Sequence, residues 1–299
     1  MFLKNKIFDA LQSTGVRNGD TVLVHASMRG LALELLVAGE RGPDVADRAS
    51  EIFHDALISL LGDEGTVVTP AFFYEYARHG APFNSKLSRP DKSLGAYSYH
   101  LFGKKNMHRS LCPPVSLAAL GAIAEKVSMT QSAFGYGSLS PWQVLFDHGA
   151  KILFWECSPK FMTFVHHVET MVGVPHLYNK LYDTPVTGAC GPFAGPVISS
   201  VRYLDEQFSI VYDLSPFLET LNHANVINRG RCGRLDFFLI DIQECSKILF
   251  DELCQDPFFL LTKTPTFTRG KFPVDGPVGN PNPNLDTVHR GPAFNAIRT

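Results

Sequence analysis

The sequence predicts an α/β fold, and three observations carry that prediction. A short apolar run at Thr21–His25 is followed by a long amphipathic segment between Gly42-Pro43-Asp44 and Gly62, and then by a second apolar run from Gly65 to Ala71. This strand–helix–strand rhythm belongs to a sheet flanked by helices, not to a bundle or a sandwich. Of the 299 residues, 45% are hydrophobic and 19% charged, enough apolar surface to bury a sizeable core and to exclude wholesale disorder.

The balance of 27 Lys+Arg against 29 Asp+Glu leaves a formal net charge of −2. That speaks against a nucleic-acid partner or an anionic membrane surface. No apolar run approaches the ~20 residues of a membrane span. The start, MFLKNKIFDAL, breaks its apolar residues with charges and offers no small-residue cleavage site. A cytoplasmic protein is expected. The six cysteines have no C-x-x-C spacing, so neither a zinc site nor a disulfide framework is expected, and no metal is assigned.

Taken in order, Phe2–Thr14 has helical spacing through Ile7 and Leu11 and stops at Gly15. Asn18-Gly19-Asp20 turns into the first strand. Ala46, Ala49, Ile52, Phe53, Ala56, Leu57, Leu60 and Leu61 mark one face of the next helix. Phe73–Arg89 reads as a long irregular loop, the kind that is usually functional. Ser116–Gly121 and Lys151–Glu156 read as strands, and Ser140-Pro141 as a capped helix start. Thr163–Val172 is expected to be a helix stopped by Gly173, and Val197–Tyr203 a strand. Asp241-Ile-Gln-Glu244 is a capping box opening a helix to Cys254. From Thr264 to Thr299 six prolines and four glycines interrupt 36 residues, so one domain over 1–263 and a partly disordered tail over 264–299 are expected.

Chemistry has few strong local signals. There is no Walker A, no G-x-G-x-x-G and no G-x-S-x-G, so the usual marks of nucleotide hydrolysis, dinucleotide redox and serine hydrolysis are missing. The most suggestive constellation is His166-His167-Val-Glu169. On a helix, His166 and Glu169 share a face, and a carboxylate there can orient an imidazole as a general base. His167 points to another surface. A second candidate is Val24-His25-Ala-Ser27-Met28-Arg29-Gly30 at the carboxyl end of the first strand, where a hydroxyl, a guanidinium and free amides would suit a phosphate. Further loop candidates are Arg109–Gly121, with Ser110, Cys112 and Ser116, and Phe134–Pro141. A cysteine enzyme using Cys157 or Cys112, and a catalytically silent sugar- or nucleotide-binding protein, are the alternatives.

In order along the chain, VHASMRG at 24–30, GTVVTP at 65–70, RSLCPPVSLAALG at 109–121, GYGSLSP at 135–141 and HHVE at 166–169 resemble the motifs of the aminoglycoside 3-N-acetyltransferase family. The resemblance implies a mixed central sheet flanked by helices, unrelated to the GNAT acetyltransferases. It implies acetyl-CoA or another acyl-CoA as co-substrate, no metal, direct transfer to the amine of an amino sugar, and a homodimer as an admissible state. On this resemblance His166 is the general base and Glu169 its orienter. Ser27, Met28, Arg29, Arg109, Ser110 and Ser116 would hold coenzyme A, and Phe72, Tyr74 and Glu75 the acceptor.

The departures bear on the acceptor. Cys112 stands where the family pattern has histidine, and Tyr99 where many members have glutamate. The segment 173–180 resembles the branch that acylates nucleotide-linked amino sugars. The loop over 72–89 carries one acid, Glu75, against Arg78, Lys86 and Arg89. An acceptor with few positive charges is therefore expected over a polycationic aminoglycoside.

Overall fold

The computed structural model describes residues 2–128, 134–195, 197–202 and 210–265. Within them a seven-stranded mixed sheet carries the order β11-β12-β6-β1-β2-β5-β4. Its middle is parallel: β1 (Thr21–Ala26) lies between β2 (Thr66–Pro70) and β6 (Lys151–Trp155). The flanks are antiparallel. On one side stand β5 (Leu117–Gly121) and the two-residue β4 (His108–Arg109). On the other stand β12 (Leu235–Asp241) and β11 (Ile227–Cys232).

The parallel strands are apolar on both sides because helices cover both sides. Leu23, Val68, Ile152 and Phe154 enter one core, beneath α6 (Ala124–Ser128), α7 (Pro141–Asp147), α8 (Val165–Val172), α9 (Ser215–His223) and α10 (Ile242–Gln255). Val22, Val24, Val67, Leu153 and Trp155 enter the other, beneath α1 (Phe2–Thr14), α2 (Arg29–Val37), α3 (Val45–Leu61) and α5 (Ala96–Phe102). Register makes this automatic: Val22 pairs with Val67 and Leu23 with Val68, so each apolar pair faces its own layer. A one-residue slip would exchange the two layers.

The helices follow local rules. In α3, Ala49, Phe53, Ala56, Leu57, Leu60 and Leu61 are buried, and Gly62 closes it at φ 66°, a backbone region that glycine tolerates. Ser140 accepts a hydrogen bond from the Gln143 amide at 3.3 Å to start α7. Asp241 accepts from the amides of Gln243 and Glu244 at 2.9 and 3.0 Å to start α10.

One reading needs correction, and one helix was not foreseen. The stretch after Phe73 is not wholly irregular: α4 (Tyr74–His79) forms there, six residues long and ended by Gly80 at φ 66°. A helix of under two turns shows too little periodicity to be read from sequence. The helix α2 gave no signal either, because Leu33 and Val37 are exposed, by 59% and 83%, and spoil the amphipathic pattern. Between α8 and α9 the chain builds an upper layer. There β7 (Leu177–Tyr182) pairs antiparallel with β10 (Val197–Arg202), and β3 (Phe83–Asn84), β8 (Val186–Gly188) and β9 (Gly191–Phe193) form a small sheet. Tyr203, expected in β10, and the tail from 266 onward lie outside the described residues.

Candidate active site

Helix α8 presents His166 and Glu169 as a pair. The Nδ1 of His166 lies 2.6 Å from Oε2 of Glu169. Glu169 has no exposure, whereas the His166 side chain keeps 34%. The geometry leaves the Nε2 edge of His166 as the one that can meet a substrate. Burial would raise the Glu169 carboxyl, but hydrogen bonds from His166 and from His176 outweigh it and hold Glu169 below the ordinary carboxylate range. The carboxylate therefore stays ionised beneath the imidazole.

His176 and Tyr212 complete the arrangement, and neither was singled out from the sequence. Nε2 of His176 lies 2.9 Å from Oε1 of Glu169, and the Tyr212 hydroxyl lies 3.0 and 3.1 Å from the two carboxylate oxygens. Tyr212 stacks edge-on to His166 at 5.2 Å between centroids, and Tyr136 flanks the other side at 5.9 Å. His167 faces elsewhere: it is buried, its Nδ1 accepts from the Gly137 amide at 3.3 Å, and desolvation lowers its pKa to about 4.

Two cavities adjoin just ahead of this helix, at Thr163. The larger, about 920 Å³, opens at the carboxyl ends of β1, β2 and β6 and is lined by Ser27, Met28, Arg29, Pro70, Cys157 and the α2 side chains Ala32, Leu33 and Leu36. The exposed apolar residues of α2 are thus a cleft wall. The smaller, about 300 Å³, holds His166 with Tyr136, Tyr182, Ser199, Ser200, Arg202 and Tyr212. Phe72, Tyr74 and Thr163 line both. Ligands collect at such a carboxyl edge of a parallel sheet.

Several expected ligand residues do other work. Arg109 is buried, and its guanidinium donates to Ser116 Oγ at 3.1 Å and to the carbonyls of Ser88 and Ala71, between the rings of Phe83 and Phe102. Ser110 accepts from the Leu117 amide at 2.9 Å, and Ser116 donates to the Ala71 carbonyl at 2.7 Å. These three residues lock a buried loop and line neither cavity. Glu75 is exposed, lies 3.7 Å from His79 and also lines neither. The amides expected to be free at Gly30 and Leu31 are occupied by the Glu156 carboxylate, whose Oε2 accepts from Leu31 at 3.2 Å. A Cβ at Gly30 would stand 1.9 Å from Glu156 Oε1, so a larger residue there would push the carboxylate aside.

Neither candidate thiol shows activation. Burial raises the pKa of Cys112 and of Cys157 alike. Among the described residues no cluster of ligand side chains could hold a metal ion, and no helix is long and apolar enough to cross a membrane.

The sequence profile of the family described as aminoglycoside 3-N-acetyltransferase matches residues 23–253. The chain belongs to this family. Membership makes it an N-acyltransferase, and the mixed sheet is the family's architecture, not that of GNAT enzymes. One similar member is the aminoglycoside N(3)-acetyltransferase III of Salmonella sp, 27% identical over 265 residues, covering 82% of this chain and 88% of that one. Among solved structures, AAC-IIIb in a binary complex with CoASH superposes with a TM-score of 0.68 at 23% identity, over 88% of this chain and 98% of its own. AAC-VIa bound to sisomicin gives 0.68 at 20% identity, over 84% and 96%.

Proposed function

We propose that this family member transfers an acyl group from acetyl-CoA, or another acyl-CoA, to the amine of an amino sugar, with His166 as general base and Glu169 as its orienter. The observation that carries this reading is the half-buried imidazole, open to the smaller cavity and held at 2.6 Å by a fully buried carboxylate, with the larger cavity adjoining across Phe72, Tyr74 and Thr163. The larger cavity suits the donor: Ala32, Leu33 and Leu36 offer an apolar wall for a pantetheine-like chain, and Arg29 a cation for phosphate. Because Glu156 occupies the α2 amides, the phosphates would rely on side chains there. When bound, the thioester supplies an activated acyl carbon.

An amine is protonated at neutral pH and cannot attack until it loses a proton. Once neutral, the amine attacks the acyl carbon. As the N–C bond forms, His166 Nε2 takes the proton the nitrogen sheds, and the imidazolium is stabilised through Nδ1–H by Glu169. As the C–S bond breaks, that proton passes to the departing CoA thiolate. Holding amine and acyl group in adjoining cavities supplies much of the remaining acceleration.

The acceptor we propose carries few positive charges, a nucleotide-linked amino sugar in preference to a polycationic aminoglycoside. Among the described residues lining the His166 cavity there is no carboxylate and one cation, Arg202. Aromatic rings from Phe72, Tyr74, Tyr136, Tyr182 and Tyr212 dominate, and suit stacking against a sugar or a base. The acidic residues Asp205 and Glu206 lie outside the described residues. Free-thiol release from acetyl-CoA, run against nucleotide-linked amino sugars and aminoglycosides, tests this through the ratio of kcat/KM. A tenfold preference for the aminoglycoside overturns the acceptor assignment, and saturable binding without turnover overturns the transferase reading. Six free thiols, two of them exposed, suit a reducing cytoplasm, the location we propose. A homodimer is part of the same reading, measured by sedimentation equilibrium.

A further inference from the structure

We propose that His176 and Tyr212 are positioning residues for acyl transfer, fixing the charge and orientation of Glu169 beneath His166. The inference rests on the general-base reading of His166 and adds what makes that base work. The two residues reach Glu169 from different parts of the chain. His176 comes from the segment leading into β7, and Tyr212 from the segment leading into α9. They converge on a carboxylate that has no access to water.

The proton inventory settles who donates. An ionised carboxylate only accepts, so His176 Nε2–H and Tyr212 O–H are the donors at 2.9 Å and 3.0 Å. The other nitrogen of His176, Nδ1, is buried with no partner among the described residues. Nε2 is thus the nitrogen through which His176 meets its neighbours, and the N–H it directs at Oε1 pins the carboxylate in place beneath His166. Among the described residues, the ionisable groups that face Glu169 besides the two histidines are Tyr136 and Tyr212, with Arg202 beside Tyr212. Burial raises both phenols well above their ordinary range, so they stay protonated. Rings of Tyr212 and Phe258 hold the His176 ring at 5.8 and 5.9 Å between centroids.

Removing a donor leaves the charge of Glu169 less dispersed, so the His166–Glu169 pair retains its proton to higher pH. The test compares His176→Leu, which loses the N–H, with His176→Gln, whose amide can replace it. The His166 imidazole is titrated by NMR, its signal assigned with His166→Ala, and turnover of acetyl-CoA with a nucleotide-linked amino sugar is measured alongside. In the Leu variant the His166 titration moves up by roughly 0.5–1 pH unit and kcat falls about 10–100-fold, with acceptor KM nearly unchanged. The Gln variant restores most of both. Tyr212→Phe, which deletes one oxygen, gives the same signs and stands in if the Leu variant does not fold. An unshifted His166 titration in the Leu and Phe variants overturns the inference, as does equal damage by Leu and Gln. Full activity of His166→Ala instead overturns the general-base reading, leaving the NMR comparison to be judged by itself.

Discussion

Phe72 and Tyr74 stand with ring centroids 5.9 Å apart and planes tilted by 55°, and both rings line both cavities. Phe72 is also part of the core, packed on Trp142. The wall between the two cavities is therefore anchored in the core. Phe72→Ala should cost roughly 3–5 kcal/mol of stability by cavity formation. Tyr74→Ala should cost less and raise the acceptor KM several-fold. Thermal melts and steady-state kinetics separate the two, and an unchanged melt for Phe72→Ala contradicts the anchoring.

His166→Ala should lower turnover by about 10²–10⁴, the range for loss of a general base, with CoA affinity nearly unchanged. Glu169→Gln should lower it less, because the imidazole remains. His167→Ala should leave the chemistry intact and lower the melting temperature, since its ring is buried against Phe164. Isothermal titration with CoA checks the affinity. An inert His166 beside an essential His167 would sink the assignment.

Stability should fall as pH drops from about 6.5 toward 4. Desolvation lowers the pKa of His25 and His167 to about 4 and of His54 to about 3. In that window the unfolded chain binds more protons than the native one, so each histidine removes up to about 1.4 kcal/mol per pH unit on acidification. Above it their contribution is constant. His167→Asn, which keeps an acceptor for the Gly137 amide, should flatten the slope of stability against pH in urea unfolding.

Glu156→Gln should tighten CoA binding several-fold at low salt. The carboxylate sits at the N-terminus of α2 beside the larger cavity, where its charge repels phosphate. Added salt should close the gap between variant and wild type. Affinity that is insensitive to both would place the phosphates far from α2.

A chain ending at Pro265 should keep its cooperative melt. From Thr264 the composition alone, six prolines and four glycines with little apolar periodicity, offers too little apolar area for the sequence to predict a packed element. Pro265 itself is buried, so the cut belongs after it and not after Lys263. Loss of soluble protein on truncation would make the tail a packed arm.

The strand–helix–strand frame, the caps at Ser140 and Asp241, and the His166–Glu169 pair are legible in the order of the residues. Each is a local signal: a hydrophobic period, a capping oxygen, or two side chains one helical turn apart. Folding adds what no local signal carries: Arg109 and Ser116 lock a buried loop, Glu156 fills the α2 amides, and His176 and Tyr212 close on Glu169. Those contacts join residues separated in the chain by 38 positions for Arg109 and Ala71, 125 for Glu156 and Leu31, and 43 for Tyr212 and Glu169. A period or a spacing reports only neighbours within a turn or two; which distant polar groups satisfy one another is settled when the two cores close on the sheet and water leaves.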